Sequence, residues 1–147
     1  MRMVTCESHY NGGVHLESSA PTRIDLAGGT IDIWPLYLFH AGAVTLNAAI
    51  SLRAHATLDS RDDGRTVIRS IDTGRVTDGA HWSELVKPGE MDLLGRLLHY
   101  FRAEGLTLTT RAESPAGAGI AGSSALNVAV CGAMARWTGR TIAPEIL

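Results

Sequence analysis

The chain has 147 residues, of which 45% are hydrophobic and 19% charged, and its formal net charge is -2 at pH 7. This composition is typical of a soluble globular protein, and the length suits one domain. The arginines are dispersed, so the charge excludes long-range attraction to nucleic acid or to an anionic membrane surface. No secretory signal and no apolar run of about eighteen residues is present, so we expect a cytoplasmic protein with no membrane partner.

The first half of the chain has the residue alternation of a β-sheet. Residues 14–26 are predicted to form two strands separated by a turn at Ser19-Ala20-Pro21. In the run ISLRAHATL at 50–58, apolar and polar residues alternate, which is the period of a strand with one buried face. The turn RDDGR at 61–65 and the run TVIRSI after it predict a hairpin with that strand.

The second half of the chain changes to helical spacing. Residues 90–103 are predicted to form a helix that ends at Glu104-Gly105, with one apolar face made of Met91, Leu94, Leu98 and Phe101. The strand LTLTT at 106–110 follows, and a second helix ends at Thr138-Gly139. This order of elements predicts an α+β fold, a mixed, mainly antiparallel sheet with helices packed on one face.

The stretch PAGAGIAGSSA at 115–125 lies between that strand and the second helix and has almost no side-chain bulk. Its N–H groups can converge on an anion, and the helix adds a positive dipole, so the loop fits a phosphate site; it fits tight packing without a ligand equally well. Ser123 and Ser124, at the helix start, can cap a free N–H, contact a phosphate or bind a magnesium ion. The stretch matches neither the Walker A sequence nor GxGxxG.

Two motifs resemble those of one enzyme family. The pattern Pro-x-Gly-x-Gly-Ile-Ala-Gly-Ser-Ser-Ala at 115–125 resembles the phosphate-binding motif of the GHMP kinases, the family of galactokinase, homoserine kinase, mevalonate kinase and phosphomevalonate kinase. The stretch APTRIDLAGGTID at 20–32 is similar to the family's N-terminal motif, in which a strand with Ala-Pro-x-Arg runs into a glycine turn and an aspartate. The resemblance implies the fold that this family shares with the second domain of ribosomal protein S5.

The resemblance also implies the residues that hold ATP. It places the phosphates on Gly117, Gly119, Ile120, Ala121, Gly122, Ser123 and Ser124, with Ser124 as the magnesium ligand. Two positions depart from the family pattern, because Ala121 stands where a glycine is usual and Gly122 where serine or threonine is usual. An alanine costs little at this position if its φ is negative, whereas a positive φ strains the loop.

In the first motif, the resemblance implies that Arg23 is a catalytic residue beside the reacting hydroxyl and that Asp32 binds the acceptor. The resemblance places Gly28 and Gly29 in the substrate-binding turn. Gly29 and Thr30 replace the glutamate and histidine of galactokinases, and RIDLAGG is closer to the heptose-phosphate kinase and fucokinase branches. Without the resemblance, these residues fit a solvated strand arginine, a helix cap and an ordinary turn.

The run IDIWPLYLF at 31–39 follows this motif directly. Its aromatic and aliphatic side chains fit two roles. They belong to the core, or one or two of them form the apolar wall of an acceptor pocket.

The implied activity is transfer of the γ-phosphoryl group of ATP, with magnesium, to a hydroxyl of a sugar or sugar phosphate. Family members are usually longer, and their catalytic aspartate lies beyond the phosphate-loop helix. We therefore predict that residues 1–147 are a GHMP kinase N-terminal, ATP-binding domain, that the C-terminal domain is absent and that the isolated chain is inactive. The alternative is a truncated, non-catalytic relative that acts as a binding or dimerisation module. Uncovered apolar surface favours a homodimer in both cases.

Overall fold

The computed structural model describes residues 4–10, 13–29, 31, 34–86 and 91–142. The strands are β1 (Val4–Tyr10), β2 (Gly13–Ala27), β3 (Leu46–Ser60), β4 (Thr66–Ser70), β5 (Arg75–Gly79) and β6 (Leu106–Ala112). The helices are α1 (Leu36–Phe39), α2 (Asp92–Phe101) and α3 (Gly122–Thr138), with a short 3-10 helix at Trp82–Glu84. None of the helices in the described ranges has the length and apolar character that crossing a bilayer requires.

The six strands form one sheet in the order β1-β2-β3-β6-β4-β5. Neighbouring strands are antiparallel except for β4 and β6, which are parallel. This mixed, mainly antiparallel sheet confirms the predicted fold class. The predicted hairpin between β3 and β4 is wrong, because β6 lies between them and buries Leu106 and Leu108 completely at the centre of the sheet.

Strand β2 is continuous through the turn that the sequence predicted at Ser19-Ala20-Pro21, so that prediction is wrong. Its register with β3 shifts between Pro21 and Arg23, and within the described residues β1 pairs with β2 only as far as Ser18. Proline lacks an N–H, and strands accept it at irregular or edge positions of this kind. The proline therefore marks an irregularity of the strand rather than its end.

The core lies on one face of the sheet, between the strands and the helices α2 and α3. Its strand residues alternate with exposed or half-buried ones and include Leu16, Ala20, Ala54, Ala56, Leu58, Ile68, Leu106 and Leu108. The helices contribute Leu94, Leu98, Phe101, Ala129, Val130, Ala133 and Met134. Alanines on β3 and on α3 allow the helix to lie close to the sheet, which fixes the position of the loop at its N-terminus.

Candidate functional site

The loop before α3 is built from residues in left-handed conformations. Gly117 has φ 76 and Gly119 has φ 69, values that glycine adopts without a steric penalty. Ala121 has φ 59 and is the N-cap of α3, and no side chain caps the helix there. The alanine therefore carries the strain that a positive φ implies, about 1–2 kcal/mol for a residue with a Cβ.

A cavity of about 480 Å³ lies over this loop. Residues 114–124 line it without interruption, so every residue that the sequence predicted to hold the phosphates lines this cavity. Ser70, the last residue of β4, and Asp72 and Thr73 after it also line this cavity. Parallel pairing of β4 with β6 brings that segment next to the loop.

The amides of the loop point to an anion as its occupant. Ala118 donates its N–H to the carbonyl of Pro115 at 3.2 Å, and Ala125 donates to Ala121 at 2.9 Å. Between these two residues, the amides of residues 119–124 have no acceptor within the described part of the chain. Free N–H groups at the start of a 17-residue helix are the donors that bind phosphate oxygens.

The hydroxyl of Ser114 lies beside Gly122. A Cβ on Gly122 would lie 2.5 Å from Oγ of Ser114, so the Ser114 side chain would have to rotate away to admit a larger residue. Gly122 differs in this respect from Gly117 and Gly119, where an added Cβ would meet nothing within 4 Å. The hydroxyl of Ser114 therefore occupies the space beside the helix start in which a larger residue 122 would place its own side chain.

The first motif meets the loop through Arg23. The N–H of Arg23 donates to the carbonyl of Ile120 at 3.3 Å. Arg23 also lines a second cavity, of about 190 Å³, together with Ala121 and Ser124. Because Ala121 and Ser124 line both cavities, the structure brings the predicted catalytic arginine to the predicted magnesium ligand.

Gly28 and Gly29 lie on the turn after β2 and line neither of these two cavities. Gly28 has φ 75, and a Cβ there would lie 2.3 Å from the carbonyl oxygen of Val44, so only glycine fits. Oγ1 of Thr45 donates to the carbonyl of Gly28 at 3.1 Å, which fastens the turn to the start of β3. The predicted acceptor residue Asp32 lies outside the described residues, as does Thr30.

Sequence reasoning missed Asp25. Its Oδ1 accepts a hydrogen bond from Nε of Arg23 at 3.2 Å, and its carboxylate packs against Gly29. The spacing of Arg23 and Asp25 could have predicted this contact, because residues i and i+2 lie on the same side of a strand. It also missed Asp72, whose Oδ2 accepts from the N–H of Ala112 at 2.9 Å, and here no local signal existed because the contact depends on the order of the strands.

The segment around the glycine turn is not core. Helix α1 has no buried residue, and Trp34, Phe39 and Val44 are 72%, 75% and 80% exposed. We call this the apolar surface; its members are Leu26, Trp34, Leu38, Phe39, Val44 and Leu46. A cavity of about 370 Å³ lies beside it, lined by Ile31, Tyr37, His40, Gly42, Ala43 and Thr45. Tyr37, an aromatic residue of the run 31–39, thus borders this cavity.

Comparison with known proteins agrees with this architecture. Residues 91–147 match the family model "GHMP kinases N terminal domain". A D-glycero-alpha-D-manno-heptose 7-phosphate kinase of Campylobacter jejuni is 35% identical over 128 residues, which cover 83% of this chain and 38% of that protein. A mevalonate kinase of Methanothermobacter thermautotrophicus is 35% identical over 98 residues, which cover 66% of this chain and 30% of that protein.

The chain is also similar in structure to solved kinases. The crystal structure of a D-glycero-D-manno-heptose 1-phosphate kinase from Bacteriodes thetaiotaomicron superposes with a TM-score of 0.70 at 28% identity. The match covers 86% of this chain and 43% of that one, so the chain spans less than half the length of the relatives it matches. The motif at 115–125, the strand order and these similarities together show that the chain belongs to the GHMP kinase family.

Proposed function

We propose that this chain is the ATP-binding part of a kinase that transfers the γ-phosphoryl group of Mg-ATP to a hydroxyl of a sugar or sugar phosphate. The observation that carries the proposal is the run of free amides at 119–124, which lines the 480 Å³ cavity and is joined to Arg23 through Ile120. The names of two relatives, a heptose 7-phosphate kinase and a heptose 1-phosphate kinase, support a phosphorylated sugar as the acceptor.

In this proposal, backbone groups hold the nucleotide. The amides of residues 119–124 donate to phosphate oxygens, and the dipole of α3 adds positive potential at the same point. An added Cβ at Gly117 or Gly119 would project into open space, so a side chain there would fill the cradle that the phosphates need. The loop therefore selects an anion by its shape and its donors rather than by charged side chains.

Ser124 fits the role of magnesium ligand in this proposal. It is exposed in the first turn of α3 and lines both cavities. The described residues contain no group of three His, Cys, Asp or Glu side chains that would hold a metal by itself. Magnesium suits such a site because it retains waters and binds few protein ligands together with substrate phosphates, whose charge it neutralises when bound.

Arg23 supplies the positive side chain. Its guanidinium has five N–H groups, of which the one on Nε donates to Asp25. Within the described residues the terminal nitrogens have no acceptor, so they can donate to the phosphoryl group, where negative charge is distributed during transfer. Gly28, Gly29 and Asp32 are proposed for the acceptor side, and the cavity beside Tyr37 offers an aromatic wall for a sugar ring. We also expect the isolated chain to be inactive.

Calorimetric titration of the chain with Mg-ATP tests the proposal. The wild-type chain should bind, and Gly119→Val should abolish binding because it places a branched side chain in the cradle. Gly139→Val is the matched control: Gly139 has φ 65, has open space around its Cβ position and lies at the far end of α3. Equal binding by Gly119→Val and Gly139→Val contradicts the phosphate site.

A second candidate function rests on the apolar surface. A patch that includes Trp34 and Phe39 marks an interaction site more often than chance exposure does. We propose that it forms an interface, either with a second copy of the chain or with another protein. Sedimentation over a range of concentrations should give a dimer that Phe39→Ser dissociates, whereas Val76→Ser, on an exposed position of β5, should not change the mass. A monomer at all concentrations contradicts the homodimer.

A further inference from the structure

Asp25 links Arg23 to the glycine turn. Its Oδ1 lies 3.2 Å from Nε of Arg23, and both side chains are about one-third exposed, at 34% and 40%. An ion pair with this exposure contributes little to stability, so stability alone gives no reason for its presence. The pair lies on β2 between the register shift at Pro21/Arg23 and the one at Asp25/Ala27.

The contact of Asp25 with Gly29 explains that glycine. Gly29 does not have a positive φ, so its backbone does not require glycine. A Cβ on Gly29 would lie 2.8 Å from both Cβ and Oδ2 of Asp25. The side chain of Asp25 therefore occupies the space that a larger residue 29 would fill, and its carboxylate is held between the turn and Arg23.

This arrangement limits where the arginine can go. An arginine side chain has many rotamers, and binding through Nε fixes the plane of the guanidinium while its terminal nitrogens stay free. At the same time, the N–H of Arg23 is bonded to Ile120 of the loop. The arginine is thus anchored to the loop by its backbone and to the turn by its side chain.

We propose that Asp25 is a positioning residue for the phosphoryl transfer proposed above, on which this inference rests. Its carboxylate holds the Arg23 guanidinium beside the cavity that Ala121 and Ser124 line, so that the terminal nitrogens of Arg23 donate to the γ-phosphoryl group. The consequence is a preference for ATP over ADP, because ADP lacks the group that Arg23 recognises.

Calorimetric titrations of the chain with Mg-ATP and Mg-ADP measure this preference as a ratio of affinities. Asp25→Ala should lower the ratio by about tenfold, the effect of losing one hydrogen bond to a charged group. Asp25→Asn should retain most of it, because the amide oxygen still accepts from Nε. Gly29→Ala should act like Asp25→Ala, and combining the two should lower the ratio no further, because both displace the same contact.

The chain contains a matched control. Nε of Arg61 donates to Oδ1 of Asp63 at 2.9 Å, the same spacing of two residues, in the turn between β3 and β4. Asp63→Ala should leave the ratio unchanged. The inference is overturned if Asp25→Ala leaves the ratio of affinities unchanged, which includes the case in which it weakens the binding of Mg-ATP and Mg-ADP equally. The proposed function still stands in that case, provided that the wild-type chain binds Mg-ATP. Failure of the wild-type chain to bind Mg-ATP overturns both.

Discussion

The N–H of Arg23 donates to the carbonyl of Ile120 at 3.3 Å, and this bond joins the two sequence motifs. The register of β2 with β3 shifts between Pro21 and Arg23, and Arg23 pairs with Ala49 beyond the shift. On the other edge of β2, β1 pairs only as far as Ser18 within the described residues, so at Arg23 the loop takes the place of a neighbouring strand. Irregularities of this kind often redirect a strand beside a functional site. The site thus depends on the path of β2 as well as on the loop.

Ala121→Gly should stabilise the chain. Ala121 has φ 59, and glycine at this position removes the contact between Cβ and the backbone, which raises the free energy of unfolding by up to about 1 kcal/mol. Urea denaturation measures the change. Ala118→Gly is the control, because Ala118 lies in the same loop without a positive φ and should gain nothing. Equal effects of the two substitutions would show that Ala121 is not strained.

Ser124→Ala should weaken Mg-ATP binding, whereas Asp32→Ala should leave it unchanged. Ser124 lines the cavity at the phosphate loop, and Asp32 is assigned to the acceptor. Loss of one magnesium ligand removes about tenfold or more in affinity. Titration of both variants with Mg-ATP measures the difference. Equal loss in both variants would contradict the assignment of roles.

Thr110→Val should also stabilise the chain. Thr110 is buried on β6, and its Oγ1 has no hydrogen-bond partner within the described residues. Valine has the same shape and removes an unsatisfied polar group, which favours the folded state by about 1 kcal/mol. Thr22→Val should have the opposite effect, because Oγ1 of Thr22 donates to the carbonyl of Leu52 at 3.0 Å. Denaturation curves in which both variants lose stability would contradict this.

Stability should depend on pH through His15. Its Nδ1 lies 2.6 Å from Oδ1 of Asp59 and its Nε2 lies 3.3 Å from Oε1 of Glu17, and the hydrogen bond with Asp59 is the main cause that raises the pKa of His15 above 6.5. The protonated ring is favoured in the folded state. The contribution of the protonated ring to the free energy of unfolding is therefore complete below the unfolded pKa of 6.5. It is lost as the pH rises through the higher pKa of His15 in the folded state.

The difference in unfolding free energy between the wild-type chain and His15→Gln measures this contribution. The difference should be larger at about pH 5 than at about pH 8, because the imidazolium is present at the lower pH. A difference that stays constant between these values would show that His15 has the same proton affinity in both states. His99→Gln, at a histidine without a carboxylate partner within the described residues, serves as the control.

The spacing of apolar residues along the chain predicted individual strands and helices, because each of these depends on residues that are near in sequence. The alternation around Ala54 and Ala56 correctly gave a strand with one buried face, and the spacing of Leu94 and Leu98 correctly gave the inner face of α2. The pairing of strands was not predictable in this way. The turn at 61–65 is real, yet β6 inserts beside β3 because its leucines complete the core.

The site was predictable to the same extent. Small residues before a helix indicated the loop, and the resemblance named the residues that line the cavity. The left-handed φ of Ala121 and the contact between Ser114 and Gly122 are three-dimensional facts without a local signal. The run 31–39 was compatible with core, but its hydrophobicity does not reveal that Trp34 and Phe39 remain exposed.

The most direct test of the central claim is nuclear magnetic resonance of the backbone amides during titration with Mg-ATP. A phosphate chain bound at the loop should shift the amide resonances of residues 119–124 most, because these N–H groups donate to its oxygens, and should leave Gly139 at the far end of α3 unchanged. Shifts confined to the apolar surface, or no shift at saturating Mg-ATP, would contradict the phosphate-binding role of the loop.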